Sequence, residues 1–486
     1  MKIEKQPAKI NYFFGPGWKK LGEFIKKFWN YTKDDVVKRK DAFEEGKGIL
    51  SIKGMWKFMI CFMLILFGTL FFLIISGLVS IIYGVVVLVF YLIFAIVWGI
   101  DRLYLVKNKI FVACPSCKGK YLIPTYKCPS CNAKHTQLTP GRYGVFKREC
   151  ECGNKIPTTF FMGRGQLPAE CPGCGYVLKG TENVPICVPI IGGRSAGKTS
   201  YITAFCYDFI EKVSKRNDIT IEHYSDEMEK FYNNEIMTDY QNGTTRMTLA
   251  ESDLSQASSK VFDFIMSSEK LSPKRLVQIY DVAGESFVNN TENELQLQYQ
   301  YCQGIIFMLD PLSIPVIRNA SDEQIDEVDK NSLGTADFDL IFDSFMNKIR
   351  MITGASDDSV ISTPLAIVLS KGDIKTVQEY VGEDVVNKYL DENNMEFGQF
   401  VYAQSDVIKE FLSENDLGNF VNTVDMRFKN NMYFVCSAIG HTRDDSSQYN
   451  PKGVLEPMEW IFQKADSSMK KVWNEHGFGV KNKEKK

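Results

Sequence analysis

The chemistry in this chain is carried by one glycine-rich stretch and by eight clustered cysteines. The stretch runs Val188-Pro-Ile-Ile-Gly192-Gly193-Arg194-Ser195-Ala196-Gly197-Lys198-Thr199-Ser200. An apolar run enters Gly192, four residues follow, and Gly197-Lys198-Thr199 close a phosphate loop of the form G-x-x-x-x-G-K-[ST]. Glycines allow the tight turn in which backbone N–H groups, from Gly193 to Ser200, ring a phosphate. In such a loop Lys198 is expected to reach the β- and γ-phosphates, and the Thr199 hydroxyl to bind Mg²⁺. The β-branched run before the loop predicts a strand, and Ser200 to Val213 a helix.

The cysteines fall into close pairs: Cys114-x-x-Cys117, Cys128-x-x-Cys131, Cys150-x-Cys152 and Cys171-x-x-Cys174. Short knuckles of this kind point backbone amides at thiolates, and two knuckles complete a tetrahedral Zn–S₄ shell. Pairing neighbours along the chain predicts one zinc held by Cys114, Cys117, Cys128 and Cys131, and a second by Cys150, Cys152, Cys171 and Cys174. Four thiolates leave no open position, so both sites are expected to be structural. His135 is expected on the surface. The chain has 13 cysteines, and the rest lie in apolar contexts and read as packing residues. A nucleotide-binding chain with paired thiols belongs in a reducing compartment, which favours metal over disulfides. Charge is balanced, 57 basic against 59 acidic residues among 486, so no global nucleic-acid footprint appears, although the small zinc modules that these cysteines would build leave that contact open.

These groups must be positioned by other elements. Trp18, Leu21, Phe24, Ile25, Phe28 and Trp29 recur at spacings of three and four, with Lys19, Lys20, Lys26 and Lys27 between them. That predicts a basic amphipathic helix, lying on anionic lipid or packed on the protein itself. From Phe58 to Ile100 there is no charged side chain. One bilayer crossing takes about 20 apolar residues, so the run suits a transmembrane hairpin that reverses around Ser76-Gly77 to Ser80. Basic residues flank both ends, which puts both ends in the cytoplasm and makes the lipid bilayer a partner.

Further strands end in polar motifs. Leu276 to Tyr280 leads to Asp281-Val-Ala-Gly284-Glu285; Gly304 to Leu309 ends at Asp310; Leu365 to Leu369 ends in Ser370-Lys371-Gly372-Asp373; Tyr433 to Cys436 ends in Ser437-Ala438. Strands alternating with helical stretches predict an α/β domain with a mostly parallel sheet and a ligand at the strands' carboxyl ends.

This order of motifs resembles the GTPases of the translation-factor and Ras-like class. The resemblance implies that Asp281 holds Mg²⁺ and that the Gly284 amide senses the γ-phosphate. It implies that Lys371 covers a guanine base, that Asp373 accepts its ring and exocyclic N–H groups, and that Ser437-Ala438 contacts its carbonyl. Ser370 departs from the usual Asn or Thr but keeps the hydroxyl. Glu285 stands where Ras-like proteins carry the water-orienting Gln, which implies slow intrinsic turnover or another water-positioning group. Arg194 stands inside the loop, where it is a candidate arginine finger or a solvent-facing side chain. The stretch between Lys198 and Asp281 exceeds what a minimal Ras-like domain needs, so Ile219–Lys270 must hold an insertion. The switch threonine is expected at Thr245, with Thr248 competing.

Between roughly residues 110 and 465 the layout is also similar to bacterial membrane proteins that join paired zinc ribbons to a "double-GTPase" domain of predicted conflict and defence systems. Leu138 to Gly144, Cys150 to Pro157, the phosphate loop, Asp281 to Glu285 and Val454 to Trp460 carry that likeness. The expectation is therefore a basic segment (1–54), a membrane hairpin (55–105), tandem zinc ribbons (110–182), a GTPase domain (183–468) and a basic tail (469–486). It would bind GTP or GDP with Mg²⁺ and two Zn²⁺, and switch conformation on hydrolysis, through self-association or an effector. The alternatives are a GTP-binding scaffold with negligible hydrolysis and a membrane-remodelling GTPase. An ATPase leaves Ser370 to Asp373 without a role.

Overall fold

The computed structural model describes residues 6–44, 52–179, 181–193, 195–244, 261–282, 299, 301–320, 342–347, 349, 359–441 and 447–472. The chain forms two compact units. One holds residues 1–108 and 123–170, the other 109–122 and 171–486.

In the first unit, helix α1 (Pro16–Glu44) packs along helix α2 (Ile52–Lys107). Trp18 meets Tyr83 edge-on, while Phe28 stacks on Phe72, so the two helices run antiparallel. Part of the aromatic stripe read from the sequence thus meets α2, through Trp18, Phe28 and Trp29, while Phe24 stays exposed. The transmembrane hairpin expected within residues 55–105 is replaced by one continuous helix of 56 residues. No proline interrupts that stretch, and Ser76, expected to start the reversal, turns its hydroxyl back onto the Leu73 carbonyl. Such back-bonding keeps a small polar residue inside a helix. At 1.5 Å per residue α2 is about 84 Å long.

The carboxyl end of α2 is tied to the domain that follows it. Asp101 and Arg164, both buried, pair at 3.0 Å, and Arg164 also donates to the Leu138 and Thr158 carbonyls. The other Asp101 oxygen accepts the Phe160 N–H at 2.8 Å. Shared donors of this kind are what a buried ion pair needs to offset its desolvation. The amino terminus joins the same domain through an antiparallel bridge between Ala8 and Cys150 and an ion pair between Lys9 and Glu149.

The second unit is built on a seven-stranded mixed sheet. Its strands are β1 (Val184–Gly192), β2 (Thr220–His223), β3 (Val261–Ser268), β4 (Leu271–Asp281), β5 (Ile305–Leu309), β6 (Leu365–Leu369) and β7 (Asn431–Val435), in the order β2-β3-β4-β1-β5-β6-β7. β4, β1, β5, β6 and β7 are mutually parallel, while β2 and β3 pair antiparallel. Alternation divides the core. Ile305, Phe307 and Leu309 face one cluster with Leu365, Ile367 and Leu369; Ile306 and Met308 face the other with Ala366 and Val368. That two-sided burial is why these strands read as unbroken apolar runs.

Central strand β1 contains Pro185 and Pro189, unusual for an interior position. Between them, the Gln303 side chain accepts the Cys187 N–H at 2.6 Å and the Gln303 N–H donates to the Cys187 carbonyl. On this flank strand pairing with β5 starts only at Ile190. The insertion expected at Ile219–Lys270 contributes edge strand β2 and helical turns from Asp226 to Asn242.

Asp263 of β3 lies opposite Gln278 of β4 and is 3% exposed. Burial pushes its carboxyl up to about 7. Between the ordinary carboxylate range and pH 7 the folded state therefore binds more protons than the unfolded chain, so stability falls as pH rises through that window. Asp263→Asn is expected to raise the melting temperature by several degrees at pH 8 and to change it little near pH 4. A shift independent of pH would contradict this reading.

Candidate nucleotide site and metal centres

The phosphate loop joins β1 to helix α3 (Lys198–Asp208). Gly192 can only be glycine, because a Cβ there would come within 2.6 Å of the Met308 carbonyl oxygen. Gly197 is left-handed, at φ 80°, and so is Ser195, at φ 61°. A non-glycine residue in this conformation is a strained position, a common mark of functional loops. Lys198 is buried, and its ammonium donates to the Gly192 and Gly193 carbonyls at 2.9 and 2.8 Å. Ala196 is buried beneath the loop and Ser200 continues α3.

Asp281 ends β4 beside this loop. The Thr199 hydroxyl donates to its Oδ2 at 3.0 Å, and Oδ1 is buried without a partner among the described residues. An orphaned carboxylate oxygen next to a hydroxyl is a donor set that suits a hard cation such as Mg²⁺. Arg194, Thr245, Thr248, Gly284 and Glu285 lie outside the described residues, as does the basic tail from residue 473 onward.

At the ends of β6 and β7 the expected base-reading residues come together. The Gly372 N–H donates to the Cys436 carbonyl at 2.9 Å, and a Cβ on Gly372 would press on Val435. The Ser437 hydroxyl donates to Asp373 Oδ1 at 2.5 Å and itself accepts the Gly440 N–H. Ser437 therefore aims the carboxylate, a role that the sequence did not disclose. Ala438 packs against the core. Ser370 is buried, with its hydroxyl and N–H both on the Leu309 carbonyl at 3.0 Å. Asp373 and Ser437 line a cavity of about 420 Å³, together with Val377, Phe400, Phe434 and Lys452. Asp310, at the end of β5, pairs with Lys371 at 3.1 Å, a partnership that the sequence did not disclose.

The cysteines form two sets, but not the expected ones. Cys114 and Cys117 join Cys171 and Cys174, while Cys128 and Cys131 join Cys150 and Cys152. Sγ separations of 3.6 Å (Cys114–Cys174, Cys117–Cys171, Cys131–Cys150) and 3.7 Å (Cys128–Cys152) match the edge of a Zn–S₄ tetrahedron, about 3.8 Å for 2.3 Å bonds. Strand register explains the nesting. Thr125 pairs with Glu170 and Tyr126 with Ala169, antiparallel, so the pair works as a stem that returns Cys171 to the flank from which residue 122 leaves. The inner set closes within residues 128–152. Burial raises the Cys128 thiol, but the Ser130 and Cys131 amides outweigh it and bring the group down to about 6, as suits a thiolate ligand. His135 is fully buried, against the surface position expected, and neither ring nitrogen has a partner among the described residues. Burial beside Arg148 lowers it to about 4.

The outer set belongs to the nucleotide-binding unit. Phe111 and Ala113 join one core cluster of the sheet, Tyr301 donates to the Lys118 carbonyl at 2.9 Å, and Gln278 of β4 donates to the Ala113 carbonyl at 3.4 Å.

Residues 186–420 match the family model described as Double-GTPase 2. No curated protein matches the chain. Among solved structures, the small GTPase Arl6 BBS3 of Trypanosoma brucei, with bound nucleotide analogue GppNp, is 10% identical over 58% of this chain and 99% of its own, with a TM-score of 0.25. The GTPase-like domain of Ski7 from S. cerevisiae, bound to GDP and inorganic phosphate, is 14% identical over 57% of this chain and 49% of its own, with a TM-score of 0.27. At these scores the likeness carries no weight. The family match spans residues 186–420, just under half of the chain, and it agrees with the phosphate loop and the sheet order in giving this stretch a P-loop, GTPase-like α/β fold.

Proposed function

We propose that the protein binds GTP and hydrolyses it to GDP and phosphate as a conformational switch. One observation carries this reading: Thr199 and Asp281 share a hydrogen bond beside the Lys198 loop, on the sheet whose next strands end in an Asp373 aimed by Ser437. Loop amides and Lys198 hold the phosphates, and the lysine exchanges its carbonyl partners for phosphate oxygens. Asp373 accepts two guanine N–H groups, which no adenine presents in that arrangement. Thr199 and Asp281 would hold Mg²⁺, which supplies charge neutralisation at the phosphates. Glu285 in the glutamine position argues for slow turnover without an activator. Two zinc ions in the nested cysteine sets would fix the ribbon folds.

Membrane association is part of the proposal. Large apolar side chains such as Phe67, Phe71, Ile81, Ile82, Leu88 and Ile96 are exposed along α2. A single continuous helix would put its two basic flanks on opposite faces if it crossed, so flank charge no longer fixes orientation. The amino terminus and the inner ribbon, joined through Ala8 and Cys150, would share one side. Self-association or an effector would receive the switch, and bacterial defence is the setting that the sequence resemblance implies. The test is phosphate release from Mg·GTP by the detergent-purified protein. Release from GTP that stops when Mg²⁺ is chelated supports the switch; GTP binding with no release at any protein concentration would leave only a scaffold.

A further inference from the structure

Asp310 closes β5 at the end of the sheet where the nucleotide is read. Parallel register matches Leu309 with Leu369, so Asp310 stands abreast of Ser370, and both Ser370 donors fix that junction on the Leu309 carbonyl. The two oxygens of Asp310 do different things. Oδ1 accepts the Leu312 N–H at 3.1 Å and caps the turn Pro311–Ser313; Oδ2 takes the Lys371 ammonium at 3.1 Å. Both side chains of the pair are largely buried, at 16% and 15% exposure, which spares the pair most of the screening that weakens surface pairs. Lys371 also holds a left-handed backbone, at φ 51°.

We infer that Asp310 is a positioning residue for guanine recognition. It pins the Lys371 ammonium so that the lysine's methylene stem forms a fixed wall for the base instead of a freely rotating chain. A lysine carries large rotamer entropy, and ordering it before the ligand arrives removes that cost from binding. The inference rests on the reading of Lys371 and Asp373 as the base-reading pair, and deepens it by naming the residue that orients the lysine.

Because the two oxygens have separate tasks, Asp310→Asn isolates the one of interest. An amide oxygen can still cap Leu312, while the charge opposite Lys371 is lost. The experiment measures binding of fluorescent GTP and ATP analogues, steady-state kinetics and melting temperature on the full chain, for wild type, Asp310→Asn and Asp310→Glu. Asp310→Asn is expected to weaken GTP binding about tenfold, the usual worth of a charge-assisted contact. KM for GTP should rise with kcat unchanged, ATP affinity should barely move, and melting should stay near wild type. Asp310→Glu should recover part of the loss. GTP binding by Asp310→Asn equal to wild type, or an equal loss for GTP and ATP, would overturn the inference. A wild-type protein that does not prefer GTP would instead overturn the base-reading assignment, and the inference with it.

Discussion

A chain carrying Cys114→Ser and Cys171→Ser together is expected to lose one zinc and keep the other. Both residues belong to the outer set, while Cys128, Cys131, Cys150 and Cys152 are left intact. Pairing Cys114→Ser with Cys128→Ser should remove both metals, because each substitution then breaks a different set. Sequential pairing of the knuckles demands the opposite pattern, so metal content per chain distinguishes the two arrangements directly. The outer set should also weigh more on the nucleotide-binding unit. Phe111 and Ala113 sit in the sheet's core, and Lys118 receives Tyr301. Structural zinc contributes its binding energy to folding. Losing it here should lower stability by several kcal/mol, on the order of 10 °C in melting temperature for a domain of this size. Breaking the inner set should leave melting of that unit nearly unchanged.

The second large effect is expected at Asp373. Its carboxylate is held by Ser437, and in the proposed site it would accept two guanine N–H donors. Each hydrogen bond to a charged acceptor is worth roughly 1.5–3 kcal/mol. Asp373→Ala should therefore weaken GTP binding by about a hundredfold or more, with ATP binding unchanged. Ser437→Ala leaves the carboxylate in place but unaimed, so a loss of about tenfold is expected. Equilibrium titration of both nucleotides against both variants checks this, and equal losses for GTP and ATP would show that Asp373 supports the fold and does not read the base.

Much of the nucleotide-binding unit was legible in the sequence because its signals are local. The Gly192 to Thr199 spacing needs only the chain itself to be recognised, and the apolar runs that became β1, β5, β6 and β7 each end at the polar residues singled out. The unreadable parts were non-local. Nesting of the cysteines depends on Thr125 finding Glu170, which no knuckle spacing encodes. Ser76, Gly77 and Ser80 look like a reversal, yet all three lie inside one continuous helix, where the Ser76 hydroxyl bonds back to the Leu73 carbonyl. Asp310 gains meaning only from the register that sets it beside Ser370, and Ser437 only from its bond to Asp373. His135 went inward because its strand pairs it opposite the buried Tyr126.

Central to this account is that the loop from Gly192 to Thr199 and the motif from Ser370 to Asp373 form one site for a guanine nucleotide. Competition between GTP and ATP for the detergent-purified wild-type protein, in the presence of Mg²⁺, tests that most directly. Displacement of a bound fluorescent GTP analogue by GTP at concentrations at least about a hundredfold below those needed for ATP is the predicted result. Displacement by ATP at equal or lower concentration would contradict it.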